Sequence, residues 1–586
     1  MRFLSAFRQK TVISSRFRSV FVSAMISMTL SYILMLTDNV VAGQFIGDEA
    51  VAAMSLIFPL VTTLFFISYL IADGLGMMAA YAQGREDRQE VNRLFSQGII
   101  LSLGLGIVLV GLLHIFQDSL LSYWQISPEY MAHARGYYDG LKWLPPIVFF
   151  NIFVYTFLIQ EGEEQICLRA SAIAFVSNVV LDILLCQIFG TMGIGLATVL
   201  GTGISCLVQC FFLFSPKSRL AFHWCLNIRQ ICRGGYLSFY HSVDTLFLSL
   251  LPVVLSSYVI AHWGENHIIV VTIITNILVL ALALYTGVVD CLQPMVCQYH
   301  SEGSFGSIQK TMDLGIAHTV GISLAVALGA GVFGELIPLL FGVEDGLLLQ
   351  EVAACLRIFL VFLVFLGTTL IYSNYYIYIE QRNYGLLVKT MLLILCPLLG
   401  MIAGARAGME GLWLGVGAGY ALAFILNALV VRLWYSTDNF LLITREMMEG
   451  QCSYDVDSIK GEIMDLSHHI GEYLRKWELT SEQLLNLRLL VEEIGMHAVE
   501  RCQGKPFHME FSFMLKPGKR KSVKVIVRDN GSPYDILMAV NGGKYTLREY
   551  FIESITNNFP ERHYLSAGDE NKLVLEVSQP MPIGDI

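Results

Sequence analysis

Five aspartates interrupt stretches of this sequence that are otherwise apolar. They are Asp38, Asp73, Asp182, Asp244 and Asp290. An aspartate at the centre of a membrane-spanning helix costs roughly 2.5–3.5 kcal/mol on insertion scales, so its presence there indicates a function or a strong partner. A buried carboxylate with polar neighbours can bind and release a proton or a sodium ion. The chemistry that these residues indicate is therefore reversible cation binding.

Asp182 has the most informative neighbour. Asn178 precedes it by four residues in "SNVVLDILL", so both side chains lie on one face of a helix. Asp38, in "MLTDNVVAG", lies towards the outer end of the first apolar stretch. We expect these three side chains to form an ion-coupling site. The alternative is a hydrogen-bonded group that only holds helices together.

Asp244 is the corresponding candidate in the second half of the chain, for a substrate or a proton. It follows His241 by three residues in "SFYHSVDTLF". The aromatic residues around it suit an organic cation, although aromatic residues are also common in membrane packing. These residues are Tyr236, Phe239, Tyr240 and Phe247. Asp73 and Asp290 are weaker candidates, because neighbouring Gly and Pro residues favour turns near the cytoplasmic helix ends, where water would solvate a carboxylate.

The elements that position these residues are predicted from composition. Of the 586 residues, 55% are hydrophobic and only 15% are charged, and the mean hydropathy is +0.59. A spanning helix needs about 20 mostly apolar residues. That criterion predicts twelve spans, near residues 19–41, 51–76, 94–117, 139–160, 168–188, 192–214, 235–261, 268–293, 312–335, 353–377, 386–405 and 410–435. The predicted fold class is a polytopic α-helical membrane protein without a cleaved signal peptide.

The loop charges predict the orientation. Basic residues crowd the N-terminal arm, residues 1–18, and recur after the second and sixth spans, and Arg382 and Lys389 follow the tenth. The loops "GQFIGDEA" and "AHWGENH" on the opposite side contain none. Because basic loops stay in the cytoplasm, both termini are predicted to be cytoplasmic, in a multi-pass protein of the cell membrane.

The apolar part repeats itself at an offset of about 217 residues. Gly47 then coincides with Gly264, and Asp73 coincides with Asp290. At an offset of 218 residues, "GTMGIGL" coincides with "GMEGLWL". We therefore expect two parallel six-helix lobes, residues 19–217 and 218–436, which is a transporter architecture with the pathway between the lobes.

The cysteines and the net charge say little about the function or the partners of the protein. The twelve Cys residues contain no C-x-x-C pair and no Cys/His cluster with metal-ligand spacing, so neither a disulfide nor a metal site is expected. The net charge of −10 is spread over two different regions. We expect no nucleic-acid partner, and the protein is predicted to be a monomer in the lipid bilayer.

The chain ends in a polar region that reads as a separate fold. Residues 437–455 are predicted to be a linker, and residues 456–586 an α/β domain. Helices are predicted in "DSIKGEIMDLSHHIGEYLRKW", "TSEQLLNLRLLVEEIGMHAVERC" and "TLREYFIESI", and strands in "FHMEFSFML", "KSVKVIVRD" and "NKLVLEVS". The segment "VRDNGSPYD" is a strand that enters a sharp loop, with Asp529 and Gly531 at the turn.

The membrane part, residues of about 15–435, resembles the multidrug and toxic compound extrusion (MATE) family. The segments that carry the resemblance are "TDNVVAGQFIGDEAVAAMSL", "AYAQGREDRQEVNRLFSQGI", and "LIQEGEEQICLRASAIAFVSNVVLDILL" followed by "GTMGIGLAT". The resemblance implies secondary active export of small organic molecules, drug-like or cationic, by alternating access between two lobes. The coupling ion would be H+ or Na+, and no cofactor is required. The ion site would consist of Asp38, Asn178 and Asp182, and Asp244 would match an acidic residue of some members.

The C-terminal domain resembles the histidine-kinase-like (GHKL-like) ATPase fold, nearest its anti-sigma-factor serine-kinase branch. By this resemblance Glu493 would be the base, His497 would stand where an Asn holds magnesium, and Asp529 and Gly531 would contact adenine. Magnesium prefers oxygen ligands, and the glycine-rich segment "NGGKYTLRE" is incomplete, so the site is predicted to be degenerate. Kinase or ATPase activity is therefore not expected. Weak ATP binding and docking of a cytoplasmic protein on residues 456–586 both stay open.

Three functions are compatible with this pattern. The leading one is a cation-coupled exporter with a cytoplasmic regulatory or docking domain. The first alternative is a membrane receptor whose C-terminal domain signals through kinase-like or anti-sigma-type protein binding. The second is a flippase for a lipid-linked head group, which the scarcity of Arg and Lys within the spans disfavours.

Overall fold

The computed structural model of the chain describes residues 11–123, 127–264, 267–340, 345–435, 439–457, 459–474, 477, 479, 481–502, 505–516, 522–535, 547–556, 559, 561–567 and 570–578. The chain divides into two compact units. The helical unit contains Val20–Gln298 and Gly315–Leu441. The sheet unit contains Met1–Ser19, Tyr299–Leu314 and Leu442–Ile586.

The first half of the chain consists of long apolar helices and their short connections. They are α1 (Val12–Phe45), α2 (Asp48–Gly84), α3 (Arg88–Ile115), α4 (Gln117–Tyr123), α5 (Pro128–Leu141), α6 (Leu144–Gln160), α7 (Glu164–Phe189) and α8 (Thr191–Leu213). The pair α5 and α6 is bent by 50° at its break. Pro residues stand in the first turn of α6, where the missing N–H has no cost.

The second half continues in the same way. Its helices are α9 (Ile228–Trp263), α10 (Ile268–Glu302), α11 (Phe305–Val332), α12 (Leu336–Leu340), α13 (Gly346–Leu360), α14 (Leu363–Tyr378), α15 (Arg382–Thr390), α16 (Cys396–Gly404) and α17 (Gly408–Trp434). A π-helical turn, Met391–Leu395, joins α15 to α16, and a 3-10 turn, Ala405–Ala407, joins α16 to α17. The apolar core of this half includes buried Tyr285, Phe359 and Trp413.

Each of the twelve predicted spans overlaps at least one of these helices. Within the described part of the chain, eight helices are long and apolar enough to cross a membrane, and ten qualify if each bent pair is one span. One of the eight is the continuous stretch Arg382–Trp434, which contains the last two predicted spans. The count of twelve stays a prediction.

Glycines at helix junctions follow the sequence repeat. Gly47 and Gly264 have positive φ angles of 127° and 87°, and each separates two long helices. Gly190 and Gly408 have φ angles of 60° and 85° and begin α8 and α17. Because only glycine adopts such angles without strain, the coinciding glycines form the same kind of junction in both halves.

The sheet unit is built on five antiparallel strands in the order β1-β2-β3-β5-β4. They are β1 (Gln451–Asp457), β2 (His508–Lys516), β3 (Ser522–Asp529), β4 (Glu561–Ala567) and β5 (Glu570–Ser578). One face packs against α19 (Lys460–Leu474), α20 (Ser481–Arg501) and α21 (Leu547–Thr556), and its apolar core includes Phe511, Val525 and Leu575. A short helix, α18 (Arg445–Glu449), precedes β1.

The opposite face of the sheet carries charge and is nevertheless buried. Its alternating positions include Glu510, Arg528 and Lys572, each at most 4% exposed. Within the sheet unit, the segment Tyr299–Leu314, which ends α10 and begins α11, supplies partners for these side chains. The sheet is thus covered on both faces.

Two features of the C-terminal region differ from the prediction. Residues 437–455 are not a linker throughout, because they contain α18 and most of β1, which pairs with β2 over its full length. Strand β4 was also not predicted. Its sequence, "ERHYLSA", alternates weakly between apolar and polar residues, so its periodicity gave no strand signal. The other predicted helices and strands of this region are confirmed.

Candidate functional site

The first cluster of polar residues lies between α1, α7 and α8. Asn178 and Asp182 lie one turn apart on α7 and are 1% and 0% exposed. The carboxyl groups of Asp182 and Asp38 are close enough to share a proton, and the Thr198 hydroxyl lies within hydrogen-bond reach of Asp38. The structure therefore brings together the three residues predicted for ion coupling.

This first cluster contains buried polar atoms that lack hydrogen-bond partners among the described residues. Both carboxylate oxygens of Asp182, both amide atoms of Asn178 and one oxygen of Asp38 have no hydrogen-bond partner among the residues that the structure describes. Leaving such atoms unpaired costs about 1–3 kcal/mol each, and more for a charged group. A bound proton or a hard cation such as Na+ would satisfy the oxygen atoms of this set, because Na+ prefers oxygen ligands.

Glycine allows the two helices to approach at this point. A Cβ atom at Gly201 of α8 would lie 2.9 Å from the Cβ atom of Asn178, so a larger residue would push Asn178 away. Tyr137 of α5 is also buried and lies within range of both carboxylate charges. The surroundings of the cluster are therefore closely packed, which favours a small ion over a large ligand.

A second cluster surrounds Asp244 of α9. Its Oδ2 atom lies 3.3 Å from the Nζ atom of Lys389 on α15. Lys389 is fully buried and also donates hydrogen bonds to the backbone carbonyls of Tyr240, at 3.3 Å, and of His241. Asp244 itself keeps 22% of its side chain exposed.

Asp73 of α2 belongs to this second cluster, which corrects the prediction that water solvates it near a helix end. It is only 7% exposed. The Ser242 hydroxyl donates to its Oδ2 atom at 3.3 Å, and the His241 Nε2 atom lies 3.6 Å from the same oxygen. Asp290 of α10 is half-buried and lies within range of the charges of Asp73 and Asp244, so it too is not a solvated turn residue.

The position of Asp73 depends on the neighbouring glycine. A Cβ atom at Gly74 would lie only 2.0 Å from the backbone oxygen of Gly234, so α2 and α9 touch backbone to backbone. The Ser238 hydroxyl donates to the carbonyl of Tyr69 at 2.8 Å beside this contact. Close approach of these two helices is what places Asp73 next to His241.

Lys389 is the functional candidate that the sequence analysis missed, because it was treated as a loop charge that indicates orientation. The structure places it on the buried face of α15 together with Tyr384, Gly385 and Val388. These four positions are spaced as one helical face. A helical projection of residues 382–390 would therefore have shown Lys389 within an apolar stripe.

The residues of the predicted nucleotide site lie near one another in the sheet unit, but its own side chains occupy them. The Asp529 Oδ1 atom accepts hydrogen bonds from Arg501 Nη2 at 2.7 Å, from the Gly531 amide at 2.9 Å and from Asn571 Nδ2 at 2.9 Å. Glu493 pairs with Arg548 at 2.6 Å. These contacts compete with the roles that the resemblance implied for Glu493 and Asp529.

His497 faces a carboxylate and an aromatic ring in the same region. Its Nε2 atom lies 3.8 Å from Glu549, and its ring centroid lies 5.0 Å from that of Tyr534. Burial lowers the pKa of His497, and the neighbouring Arg501 lowers it further. Most of the predicted glycine-rich segment falls in residues 536–546, outside the described part of the chain.

The family model named MatE matches residues 23–184 and 243–402, which is more than half of the chain. The chain belongs to the MatE family. Both acidic clusters of the helical unit draw on the matched residues, and the C-terminal domain lies outside them. Membership of this family and the long apolar helices make the chain a multi-pass membrane protein with a transporter fold.

A curated relative and several solved structures are similar to this MatE chain. The "Probable multidrug resistance protein YoeA" of Bacillus subtilis is 25% identical over 260 residues, which cover 42% of this chain and 55% of that relative. An outward-facing multidrug resistance MATE transporter is 22% identical with a TM-score of 0.67, covering 73% of this chain and 97% of that one. A transporter from Pyrococcus furiosus has a TM-score of 0.65 at 22% identity with the same coverage. The structural likenesses support the fold.

Proposed function

We propose that this MatE protein exports small organic molecules, drug-like or cationic, in exchange for H+ or Na+ entering the cell. The observation that carries the proposal is the first cluster, in which buried oxygens of Asp38, Asn178 and Asp182 lack hydrogen-bond partners among the described residues. Binding of a small cation would stabilise such a site more than binding of a large ligand would. The multidrug resistance name of the Bacillus relative supports drug-like substrates.

The physical basis of coupling is the electrostatic cost of an empty site. Two carboxylates that face each other in a low-dielectric interior repel, and one bound cation or proton removes most of that cost. Ion binding would then favour one state of the transporter and substrate binding the other, which is alternating access. The basic loops favour a cytoplasmic position for both termini, which is part of this proposal.

The test uses purified protein in liposomes, with ethidium as substrate and an imposed proton or sodium gradient. Asp182→Asn should abolish gradient-driven transport, because its amide cannot release a cation. Asp118→Asn is the matched control: its carboxylate pairs with Arg135 and is 82% exposed. Equal ethidium transport by the wild type and Asp182→Asn would refute the coupling role, and loss in both aspartate variants would indicate a folding defect.

The C-terminal domain is proposed to regulate transport or to dock a cytoplasmic protein. Its sheet contacts the segment Tyr299–Leu314, where α10 ends and α11 begins. Lys310 of that segment pairs with Asp455 at 2.7 Å and with Glu510 at 3.0 Å. Within the sheet unit, the sheet therefore holds the segment in which α10 ends and α11 begins.

Deletion of residues 442–586 tests regulation. Because the deletion removes every sheet partner of Lys310, we expect the ethidium transport rate to change at equal membrane abundance. Lys310→Met in the full chain should change the rate in the same direction, by a smaller amount. An unchanged rate in both proteins would leave docking as the role of the domain.

A further inference from the structure

The ammonium group of Lys389, inside the helical unit, has one hydrogen-bond acceptor for each of its three N–H donors. A lysine has three N–H donors. Here they meet the carbonyl oxygens of Tyr240 and His241 and the carboxylate of Asp244. The three acceptors therefore form a pocket for one monovalent ammonium ion, and the chain supplies that ion itself.

The cluster around this pocket contains more acidic than basic groups. Asp73, Asp244 and Asp290 interact with one another, and Lys389 is the fixed cation among them. Among the described residues, the other titratable groups within range of these carboxylates include His241, Tyr69, Tyr155 and Tyr378. The cluster thus holds three carboxyl groups and one lysine, so a second cation can find a carboxyl partner there.

The cluster is accessible from the side of Asp244 and not from the side of Lys389. Lys389 is completely buried, whereas the Asp244 carboxylate is partly exposed. Tyr236, Tyr240 and Asp244 follow one another at four-residue intervals on α9, and Tyr236 is 53% exposed. The Arg382 guanidinium lies 5.9 Å from the centroid of the Tyr236 ring, so the row already faces one planar cation. The hydroxyls of the two tyrosines are 2.8 Å apart, and their rings meet edge to face. A carboxylate at the end of an aromatic row suits a flat or alkylated organic cation.

We propose that Lys389 is an internal competitor that occupies Asp244 until an organic cation displaces it. Without substrate, the lysine ammonium neutralises Asp244 and keeps the buried cluster stable. An arriving cation takes over Asp244 and the aromatic row, and the released ammonium stays within range of Asp73. Return of Lys389 to Asp244 then expels the substrate. This inference rests on the proposed export function and assigns to Lys389 the role of holding Asp244 when no substrate is bound.

The proposal predicts opposite effects for the two members of the pair. Lys389→Met removes the competitor and should bind ethidium about tenfold more tightly, within the usual range of coupling between sites. Its transport should slow, because nothing displaces the bound cation. Asp244→Asn removes the carboxylate that both cations share, so its ethidium binding should weaken.

The experiment measures ethidium binding to the full chain in detergent by fluorescence anisotropy, and transport by the same proteins in liposomes. The double variant Asp244→Asn/Lys389→Met leaves neither partner of the pair charged, and it should fold well and bind ethidium weakly. The variant Lys389→Arg keeps a competing cation, so its affinity for ethidium should be close to that of the wild type.

The outcomes separate the two proposals. Tighter binding with slower transport in Lys389→Met, together with weak binding in the double variant, supports the competitor role. Transport by the wild type with unchanged or weaker ethidium affinity in Lys389→Met overturns the competitor role and leaves export intact. If Lys389→Met does not fold, wild-type affinity in the double variant also overturns it. A wild type that neither binds nor transports ethidium overturns export and this inference together.

Discussion

Removal of the Arg528 charge should destabilise the sheet unit more than any other single charge change in it. Arg528 is completely buried and pairs with Glu302, with Glu510 at 2.8 Å and with Glu570 at 3.4 Å. Its guanidinium also lies 5.0 Å from the ring centroid of Tyr299. Arg528→Met keeps most of the side-chain volume and removes the charge.

The magnitude follows from the partners that stay behind. Breaking a buried ion pair costs about 3–5 kcal/mol, because the remaining charge is unpaired. Here Glu302 keeps Lys572 and Glu510 keeps Lys310, so we expect the lower end, about 3 kcal/mol. With a urea m-value of about 2 kcal/mol/M for a domain of this size, the urea midpoint of the sheet unit should fall by about 1.5 M.

The assay is pulse proteolysis of the full chain in detergent across a urea series, with the C-terminal fragment followed on gels. Arg445→Met is the matched control, because it removes an arginine of the same unit whose side chain is 92% exposed and which pairs with Glu449. Exposed pairs contribute about 0–1 kcal/mol, so the control should shift the midpoint by less than about 0.5 M. A shift for Arg528→Met no larger than the control would refute the reasoning.

Three further changes test other features. Gly74→Ala should reduce the amount of folded protein, because the added Cβ atom would lie 2.0 Å from the Gly234 oxygen and overpacking costs about 1–3 kcal/mol. The yield of protein that stays folded in detergent measures this loss. Gly104→Ala is the control, because the added Cβ atom would have no neighbour within 4 Å. Burial raises the pKa of Glu510, but the two cations that contact it outweigh burial and hold the pKa below its usual 4.5. Its stabilisation is therefore present above about pH 4.5 and lost as the pH falls through the lower folded pKa, so Glu510→Gln should flatten the fall of the urea midpoint in acid. The pKa of His497 is lowered because burial disfavours the charged ring. Stability should therefore fall as the pH drops below about 6.5, and His497→Asn should remove that dependence. Because Arg548 pairs with Glu493, calorimetry should detect no ATP binding by His497→Asn.

The sequence was most informative where one periodicity dominates. Apolar stretches located the long helices, and the four-residue spacing of Asn178 and Asp182 placed both on one buried face. Asp73 was misjudged, because the Gly and Pro residues near it favoured a turn, whereas the glycine serves a close helix contact. Lys389 was missed since a charge near a predicted helix end is ordinarily solvated. The partner of Arg528 could not be predicted, because Glu302 lies 226 residues away in sequence.

The same separation has a consequence for how the chain is made. Ribosomes add roughly 5–20 residues per second, so Arg528 is synthesised roughly 10–45 seconds after Glu302. For most of that interval the segment Tyr299–Leu314 has been made, but β3 and β5, which carry Arg528 and Lys572, have not. A chain interrupted before β3 contains Asp455 and Glu510, with which Lys310 pairs. It contains neither Arg528 nor Lys572, with which Glu302 pairs. The buried contacts of Glu302 with Arg528 and Lys572 therefore form only after β3 and β5 have been synthesised.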